Sequence, residues 1–245
     1  MAPTADNTLS IKVTNPKTEI ILALDLDSRA EVCKMLDQLK EGLNWVKIGL
    51  QSFLRDGPAI IEECVSREKK VFLDLKLHDI PNTMAKAIES LANLPIQMLT
   101  LHTCAGSEAM SRCVETASAV LPQTTLLGVT VLTSMNRSNL NDIGVLSSTE
   151  EQVCRLAHLA VNAGVGGIVC SPQELSLLRP KIPSDTCLVT PGIRPSGSSA
   201  GDQKRTMTPK EAQFKGANYL VIGRPILSAK NPSLALNSIK LELES

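Results

Sequence analysis

Aromatic residues are scarce in this chain: Phe, Trp and Tyr make up 2% of its 245 residues, although 43% of all residues are apolar. Proteins that bind single-stranded nucleic acid stack its bases on aromatic side chains, so this composition argues against that class. An excess of charge is also missing, because 25 Lys and Arg balance 25 Asp and Glu. A chain without net charge lacks the broad basic surface that nucleic acid or an anionic membrane attracts. We therefore expect neither as a partner.

Three further absences concern compartment and metal binding. The seven cysteines contain no CxxC pair, which fits reduced thiols packed as small apolar groups. No apolar run reaches transmembrane length, and the start, MAPTADNTLSIKVTNPKT, has no hydrophobic signal core. The histidines, His78, His102 and His158, share no metal-ligand spacing. These features predict a cytoplasmic protein without a metal site, with residues 1–17 as a flexible polar tail.

Eight short apolar segments, most of them rich in β-branched residues, recur along the chain and predict strands. They are EIILALD, WVKIGL, KVFLDLK, QMLTLHT, TLLGVTVL, GGIVCS, TCLVTPG and NYLVIGR. The stretches between them with apolar residues three or four apart predict helices. These are SRAEVCKMLDQLK, SFLRDGPAIIEECV, TMAKAIESLANL, SEAMSRCVETASAVL, STEEQVCRLAHLAVNA and TPKEAQFKGA. Eight such units without a GxGxxG after the first strand predict one α/β domain, a (β/α)8 TIM barrel over residues 18–245.

The third predicted strand carries charges where such barrels place their chemistry, at the carboxyl end of a strand. In KVFLDLKLHDIPNT the three leucines at positions 73, 75 and 77 alternate with Asp74 and Lys76. Because strand side chains alternate, the leucines face the helices and the two charges point into the barrel. Buried charges need partners, since leaving them unpaired costs several kcal/mol. We therefore expect other charges or a ligand nearby.

The first two strands offer those partners. The same alternation aims Asp25, from EIILALD, and Lys47, from WVKIGL, toward the same mouth of the barrel. Each lysine lowers the pKa of a neighbouring acid and each carboxylate raises that of a lysine. Lys76 is therefore expected to be a protonated acid rather than a Schiff-base amine, which would need an apolar or cationic setting. A purely structural salt-bridge cluster is the alternative.

A second group of residues follows the seventh and eighth strands, where TIM barrels commonly bind phosphate. In VIGRP, Gly223 can donate a main-chain N–H and Arg224 offers a two-pronged guanidinium. In TPGIRPSGSSAGDQKR, Gln203 can supply an amide donor and Arg194 a further positive charge. The Ser/Gly-rich stretch 196–201 could close over a bound phosphate as a lid, or could be an ordinary surface loop.

Thr133 follows the fifth predicted strand and has two possible roles. Its hydroxyl could hydrogen-bond a polar heterocycle, or it could cap the next helix.

Taken together, these motifs resemble those of the orotidine monophosphate decarboxylases of the bacterial monofunctional type. The resemblance runs from about residue 18 to the end of the chain, and its most specific element is DLKLHDIPNT. ALDLD, VKIG, VTVLTS, PGIRP, AGDQKR and VIGRPI support it in the expected order. A DxKxxD core is shared with metal-dependent sugar-phosphate decarboxylases and aldolases of the same superfamily, but the LHDIPNT continuation favours the orotidylate family. A non-catalytic phosphate-binding barrel is a further alternative.

The resemblance implies conversion of orotidine 5'-monophosphate to UMP and carbon dioxide, the last step of pyrimidine nucleotide synthesis, without metal or organic cofactor. It implies that Lys76 donates the proton to C6 of the pyrimidine. Asp74 would lie beside the departing carboxylate, and Lys47 with Asp25 would hold the ribose and the charge array. Asp79 would complete the catalytic group.

Further substrate contacts follow from the resemblance in the same way. Thr133 would contact the pyrimidine, while Gln203, Gly223 and Arg224 would bind the phosphate and Arg194 would lie in the closing loop. Ile80 would contact the substrate.

The resemblance also implies a homodimer. Asp79 and Thr83 would enter the site of the partner subunit.

Overall fold

The computed structural model describes residues 18–195 and 206–245. Within them, eight parallel strands close into a barrel in chain order, with the last strand paired to the first. The strands are β1 (Glu19–Ala23), β2 (Trp45–Gly49), β3 (Lys70–Leu77), β4 (Met98–His102), β5 (Thr125–Val129), β6 (Gly167–Val169), β7 (Cys187–Pro191) and β8 (Tyr219–Ile222). Each coincides with a predicted apolar segment, so the predicted TIM barrel is confirmed. The predicted tail, residues 1–17, lies outside the described residues, and its boundary with the barrel stays a prediction.

Helices cover the outside of the barrel. They are α1 (Arg29–Gln38), α2 (Leu50–Asp56), α3 (Ala59–Val65), α4 (Pro81–Ser90), α5 (Ser107–Val120), α6 (Arg137–Asp142), α7 (Thr149–Asn162), α8 (Leu175–Leu178), α9 (Pro209–Phe214), α10 (Arg224–Leu227) and α11 (Pro232–Glu244). Short 3-10 turns occur at Thr103–Ala105, Pro172–Glu174 and Arg179–Lys181. Within the described part of the chain, no helix has both the length and the apolar character needed to cross a membrane.

The helices differ from the sequence prediction in two ways. The stretch predicted as one helix, SFLRDGPAIIEECV, is two helices, α2 and α3. Gly57 between them has a φ of +61°, and Pro58 has no N–H to donate to the preceding turn. The prediction also omitted the three short helices α6, α8 and α10, and the longer α11. Helix α11 begins with Pro232 and is capped by Asn231, whose Oδ1 accepts from the N–H of Leu234 at 3.1 Å.

Apolar side chains fill two layers, one between strands and helices and one inside the barrel. The inner layer consists of Ile21, Ala23, Trp45, Phe72, Met98, Leu127, Val189 and Val221. Because strand side chains alternate, the inward-facing positions beyond this layer, toward the carboxyl ends, are those that point into the barrel mouth. The packed layer thus forms the floor on which the mouth is built.

The β3–β4 pairing is irregular at that mouth. Leu73 pairs with Leu99, but the next pair is Leu77 with Leu101. Three residues of β3 therefore lie opposite the single residue Thr100 of β4. Such a bulge bends the strand locally and changes the direction of its side chains.

Candidate active site

Four charged side chains from the first three strands meet at the carboxyl end of the barrel. Lys47 Nζ lies 3.2 Å from Asp25 Oδ1 and 3.4 Å from Asp74 Oδ2. Lys76 Nζ donates to the other oxygen of Asp74, Oδ1, at 2.8 Å. Asp74 thus bridges two lysines, and the structure brings together all four residues that the sequence singled out.

Asp74 is the buried centre of this group. Its side chain is 12% exposed and that of Lys47 is 11% exposed, compared with 39% for Lys76 and 57% for Asp25. Burial acts most strongly on the pKa of Asp74 and would raise it, but Lys47, Lys76 and the Thr100 hydroxyl together outweigh burial. The pKa therefore stays below its ordinary value, and the carboxylate is ionised at neutral pH.

Lys76 has an unusual main chain. Its φ is +52°, in the left-handed region that residues other than glycine rarely adopt. Its N–H donates to the side chain of Thr100, across the β3–β4 bulge, at 2.9 Å. The bulge thus directs the Lys76 ammonium group back onto Asp74, at the mouth of the barrel.

A cavity of about 160 Å³ opens beside these charges. Lys47, Asp74 and Lys76 form one wall, and the remaining lining is mostly apolar: Phe72, Val129, Val131, Leu132, Thr133, Val169, Cys170, Pro191 and Val221. Burial raises the pKa of the Cys170 thiol far above its ordinary value, so this side chain is a neutral part of the wall. A cavity charged on one side and apolar on the other suits a flat polar ring with a reacting carbon near the lysines.

Larger cavities occur elsewhere, but they lack this chemistry. One of about 390 Å³ lies at the opposite end of the barrel, around Thr18, Asn44 and Lys240. Another, of about 410 Å³, lies on the surface of α4 and α5. Neither contains a bridged pair of lysines, so chemistry rather than size identifies the candidate site.

Thr133 lies in the turn after β5 and lines the cavity beside the charged cluster. Helix α6 is capped instead by Asn136, whose side chain accepts from the N–H of Asn139 at 3.1 Å. The alternative in which Thr133 caps a helix is therefore wrong.

Asp79, Ile80 and Thr83 are exposed and do not line the cavity of their own chain. Asp79 Oδ1 accepts from the N–H of Ile80 at 2.7 Å, and 65% of Ile80 is exposed. Thr83 lies in the first turn of α4. The three residues thus lie outside the lining of the cavity that their own β3 helps to build.

The predicted phosphate residues lie after β7 and β8. Gly223 precedes α10, and the exposed Arg224 is the first residue of that helix. Arg194 follows β7; its Nη1 donates to the carbonyl of Ile193 at 2.9 Å, and its N–H donates to Met207 at 2.9 Å. Gln203 and the stretch 196–201 predicted as a lid lie outside the described residues.

Sequence reasoning missed Thr100, which is fully buried and joins Asp74 to Lys76. Its position two residues after Met98, which faces inward, could have predicted that Thr100 also faces into the barrel.

Sequence reasoning also missed a stack of His78 on His102, with ring centroids 5.2 Å apart. Burial, and then His78 and Lys76, lower the pKa of His102.

No group of three or more His, Cys, Asp or Glu side chains in residues 18–195 and 206–245 is arranged to hold a metal ion. The predicted absence of a metal stays a prediction.

Comparison with known proteins relates most of the chain to one group of enzymes. The profile of the family described as "Orotidine 5'-phosphate decarboxylase / HUMPS family" matches residues 18–239. An orotidine 5'-phosphate decarboxylase from Opitutus terrae is 52% identical over 227 residues, covering 93% of this chain and 99% of the relative. Its counterpart from Actinobacillus succinogenes is 47% identical over 231 residues, covering 92% and 98%.

Solved structures show the same likeness. A crystal structure of orotidine 5'-phosphate decarboxylase from Lactobacillus acidophilus is similar with a TM-score of 0.80 and 35% identity, covering 93% of this chain and 100% of that one. An uncharacterized conserved protein from Geobacillus kaustophilus is similar with a TM-score of 0.81 and 30% identity, covering 91% and 99%.

Proposed function

The chain belongs to the orotidine 5'-phosphate decarboxylase / HUMPS family, and from this premise we propose how its charged site removes carbon dioxide from orotidine 5'-monophosphate to give UMP. It is a carboxy-lyase of pyrimidine nucleotide synthesis. The observation that carries the mechanism is the ionised Asp74 held between two lysines beside a half-apolar cavity.

Lys76 is the proton donor in this mechanism. When the bond from C6 to the carboxyl carbon breaks, its electron pair stays on C6, where no adjacent carbonyl group can absorb it. A fixed ammonium group beside C6 stabilises that charge as it develops, and then transfers a proton to form the C6–H bond. After the product leaves, the neutral amine regains its proton from water, which reaches it because the Lys76 side chain is 39% exposed in the protein without substrate.

Asp74 and Lys47 hold this acid in place. Asp74 pairs with the Lys76 ammonium group and holds it beside the cavity, and Lys47 offsets the charge of Asp74 from the other side. Asp74 would also repel the substrate carboxylate, a ground-state effect that we treat as the smaller contribution. Asp25, more exposed, pairs with Lys47, and we assign to these two residues the contact with the ribose.

The rest of the substrate is bound away from the reacting carbon. We assign the pyrimidine contact to Thr133 and the phosphate contacts to Gly223, Arg224 and Gln203, with Arg194 in the loop that closes. Phosphate binding would favour closure and exclude water, which strengthens the charge interactions inside the mouth. No metal or organic cofactor takes part in this scheme.

We propose that the enzyme is a homodimer in which Asp79, Ile80 and Thr83 reach the partner's site. Their exposure and their absence from the lining of their own cavity support this arrangement. Exposed Leu50 and Leu54, on the helix after β2, provide apolar surface at the same end of the barrel. A symmetric interface there would bury those side chains and exchange the Asp79 loops.

A cytoplasmic location is also proposed. All seven cysteines are unpaired, as is typical of a reducing compartment.

The proposed role of Lys76 can be tested by following loss of orotidylate absorbance with the wild-type enzyme and Lys76→Ala. We expect the variant to fold, to bind UMP and to lose turnover, whereas Lys34→Ala, at an exposed lysine of α1, keeps it. Near-normal turnover by Lys76→Ala would reject this role. Wild-type activity on a hexulose phosphate that a chelator abolishes would instead favour a metal-dependent sugar-phosphate decarboxylase or aldolase. Absence of any turnover by the wild-type protein would favour a non-catalytic phosphate-binding barrel.

The dimer is tested by mixing two inactive variants, Lys76→Ala and Asp79→Asn. A heterodimer would contain one site with both native residues, so random exchange of subunits should restore about a quarter of wild-type activity. No recovery after demonstrated subunit exchange would contradict shared sites.

A further inference from the structure

We propose that Thr100 is a positioning residue for the decarboxylation, because its one hydroxyl group fixes both the carboxylate of Asp74 and the main chain of Lys76. The inference rests on the proposed function, since Thr100 acts through these two residues. Thr100 belongs to β4, is fully buried and does not line the cavity.

The hydroxyl has a defined direction. Thr100 Oγ1 donates to Asp74 Oδ1 at 3.0 Å and accepts from the Lys76 N–H at 2.9 Å. An ionised carboxylate can only accept and a main-chain N–H can only donate, so the hydroxyl proton must point to Asp74. Both partners thus hold the hydroxyl in a single orientation.

The same carboxylate oxygen receives the catalytic ammonium group. Lys76 Nζ and Thr100 Oγ1 both donate to Asp74 Oδ1, and Lys47 faces Oδ2. Thr100 therefore limits rotation of the carboxylate, and this determines where the Lys76 ammonium group lies. Small displacements of a reacting group are costly in a preorganised site.

The main chain depends on the same hydroxyl. Lys76 has a φ of +52° at the bulge, and its N–H donates to a side chain rather than to a carbonyl of β4. A left-handed main chain in a residue other than glycine persists only where its surroundings determine it. Thr100 supplies that restraint from the neighbouring strand.

Thr100→Val tests the proposal, because it keeps the shape of the side chain and removes the hydroxyl. We expect kcat to fall by about tenfold to a hundredfold, as for loss of a hydrogen bond to a charged group. KM for orotidylate should change by less than about threefold, because the phosphate residues are untouched. Thr100→Ser, which keeps the hydroxyl, should restore kcat to within about threefold of wild type.

Thr103→Val is the matched control. Thr103 is also fully buried, and its hydroxyl donates to the main-chain carbonyl of Val129 at 2.8 Å rather than to Asp74 or Lys76. This variant should lose stability and keep kcat. If Thr100→Val does not fold, Thr100→Ser and Thr100→Ala form a second pair, since both lack the methyl group and only the hydroxyl differs.

The outcomes separate the inference from the proposed function. Unchanged kcat in Thr100→Val, with Lys76→Ala inactive, would overturn the inference alone, as would equal loss of kcat in Thr103→Val. Less than a twofold difference between the Ser and Ala variants would also overturn it. An active Lys76→Ala enzyme would instead reject the proposed role of Lys76.

Discussion

Two lysines at opposite ends of β3 illustrate how differently the barrel uses the same side chain. Lys69, just before the strand, is buried, and its ammonium group donates to the carbonyls of Lys40 at 3.1 Å and Leu43 at 2.8 Å. Lys76, near the end of the strand, pairs with the carboxylate of Asp74 and faces a cavity. A lysine bound by carbonyl groups ties a loop to the barrel, whereas a lysine bound by a carboxylate at a cavity is available for proton transfer.

The comparison teaches that burial is a poor guide to function in this molecule. Lys69 is the more buried of the two, yet its partners are fixed main-chain groups, and it is not among the residues that line the cavity beside Lys76. The partners and the space beside the amine distinguish a structural lysine from an acid. The first prediction tests this distinction directly.

Exchanging each lysine for methionine should separate activity from stability. Lys76→Met should lower kcat by at least about a thousandfold, because it removes both the proton donor and the charge beside C6. Lys69→Met should keep kcat but lower the free energy of unfolding by about 2–3 kcal/mol, because two carbonyls lose a charged donor. Orotidylate turnover and urea unfolding measure the two effects. Comparable loss of turnover in both variants would remove the distinction.

The two ends of the barrel can be compared by removing one basic side chain at each end. Arg224→Ala should lower kcat/KM by about a hundredfold, because a phosphate contact contributes binding energy that also favours closure. Lys240→Ala, beside the larger cavity at the amino end, should leave kcat/KM within about twofold. Steady-state kinetics with orotidylate give both values. A strong effect at Lys240 would mean that the larger cavity also contributes to turnover.

Acid unfolding should show the smallest effect. The pKa of Asp74 is lowered in the folded protein from an ordinary value of 3.8, so its charge stabilises the fold above that pH. This contribution should be lost as the pH falls below about 4, toward the folded-state pKa, because the unfolded chain then binds the extra proton. Asp74→Asn should flatten this part of the stability curve, measured by urea unfolding between pH 7 and 3. An unchanged curve would show that other carboxylates account for acid unfolding.

The sequence predicted the parts of the molecule that depend on local alternation. Lys47 and Asp74 could be placed because a strand repeats every two residues. Lys76 lies in the bulge of β3, which redirects its side chain. Gly57 and Pro58 also indicate a helix break in the sequence. The stretch was nevertheless predicted as one helix, because its apolar residues keep helical spacing on both sides of the break.

The rest depends on how neighbouring strands align. Thr100 contacts Asp74 and Lys76 only because three residues of β3 lie opposite one residue of β4, and no local pattern specifies that offset. Likewise, no residue adjacent to Lys69 in the sequence predicts that the carbonyls of Lys40 and Leu43 will accept hydrogen bonds from its ammonium group. Tertiary register, not residue type, gives these side chains their roles.

The left-handed main chain at Lys76 also makes this position suited to chemical complementation. Glycine adopts such a conformation without steric cost, so Lys76→Gly would preserve the bend of the strand while leaving a lysine-sized space above Asp74. A small alkylammonium ion supplied in solution could then occupy that space and serve as an exchangeable acid. The acidity and size of the proton donor would thereby become experimental variables, set by the choice of amine.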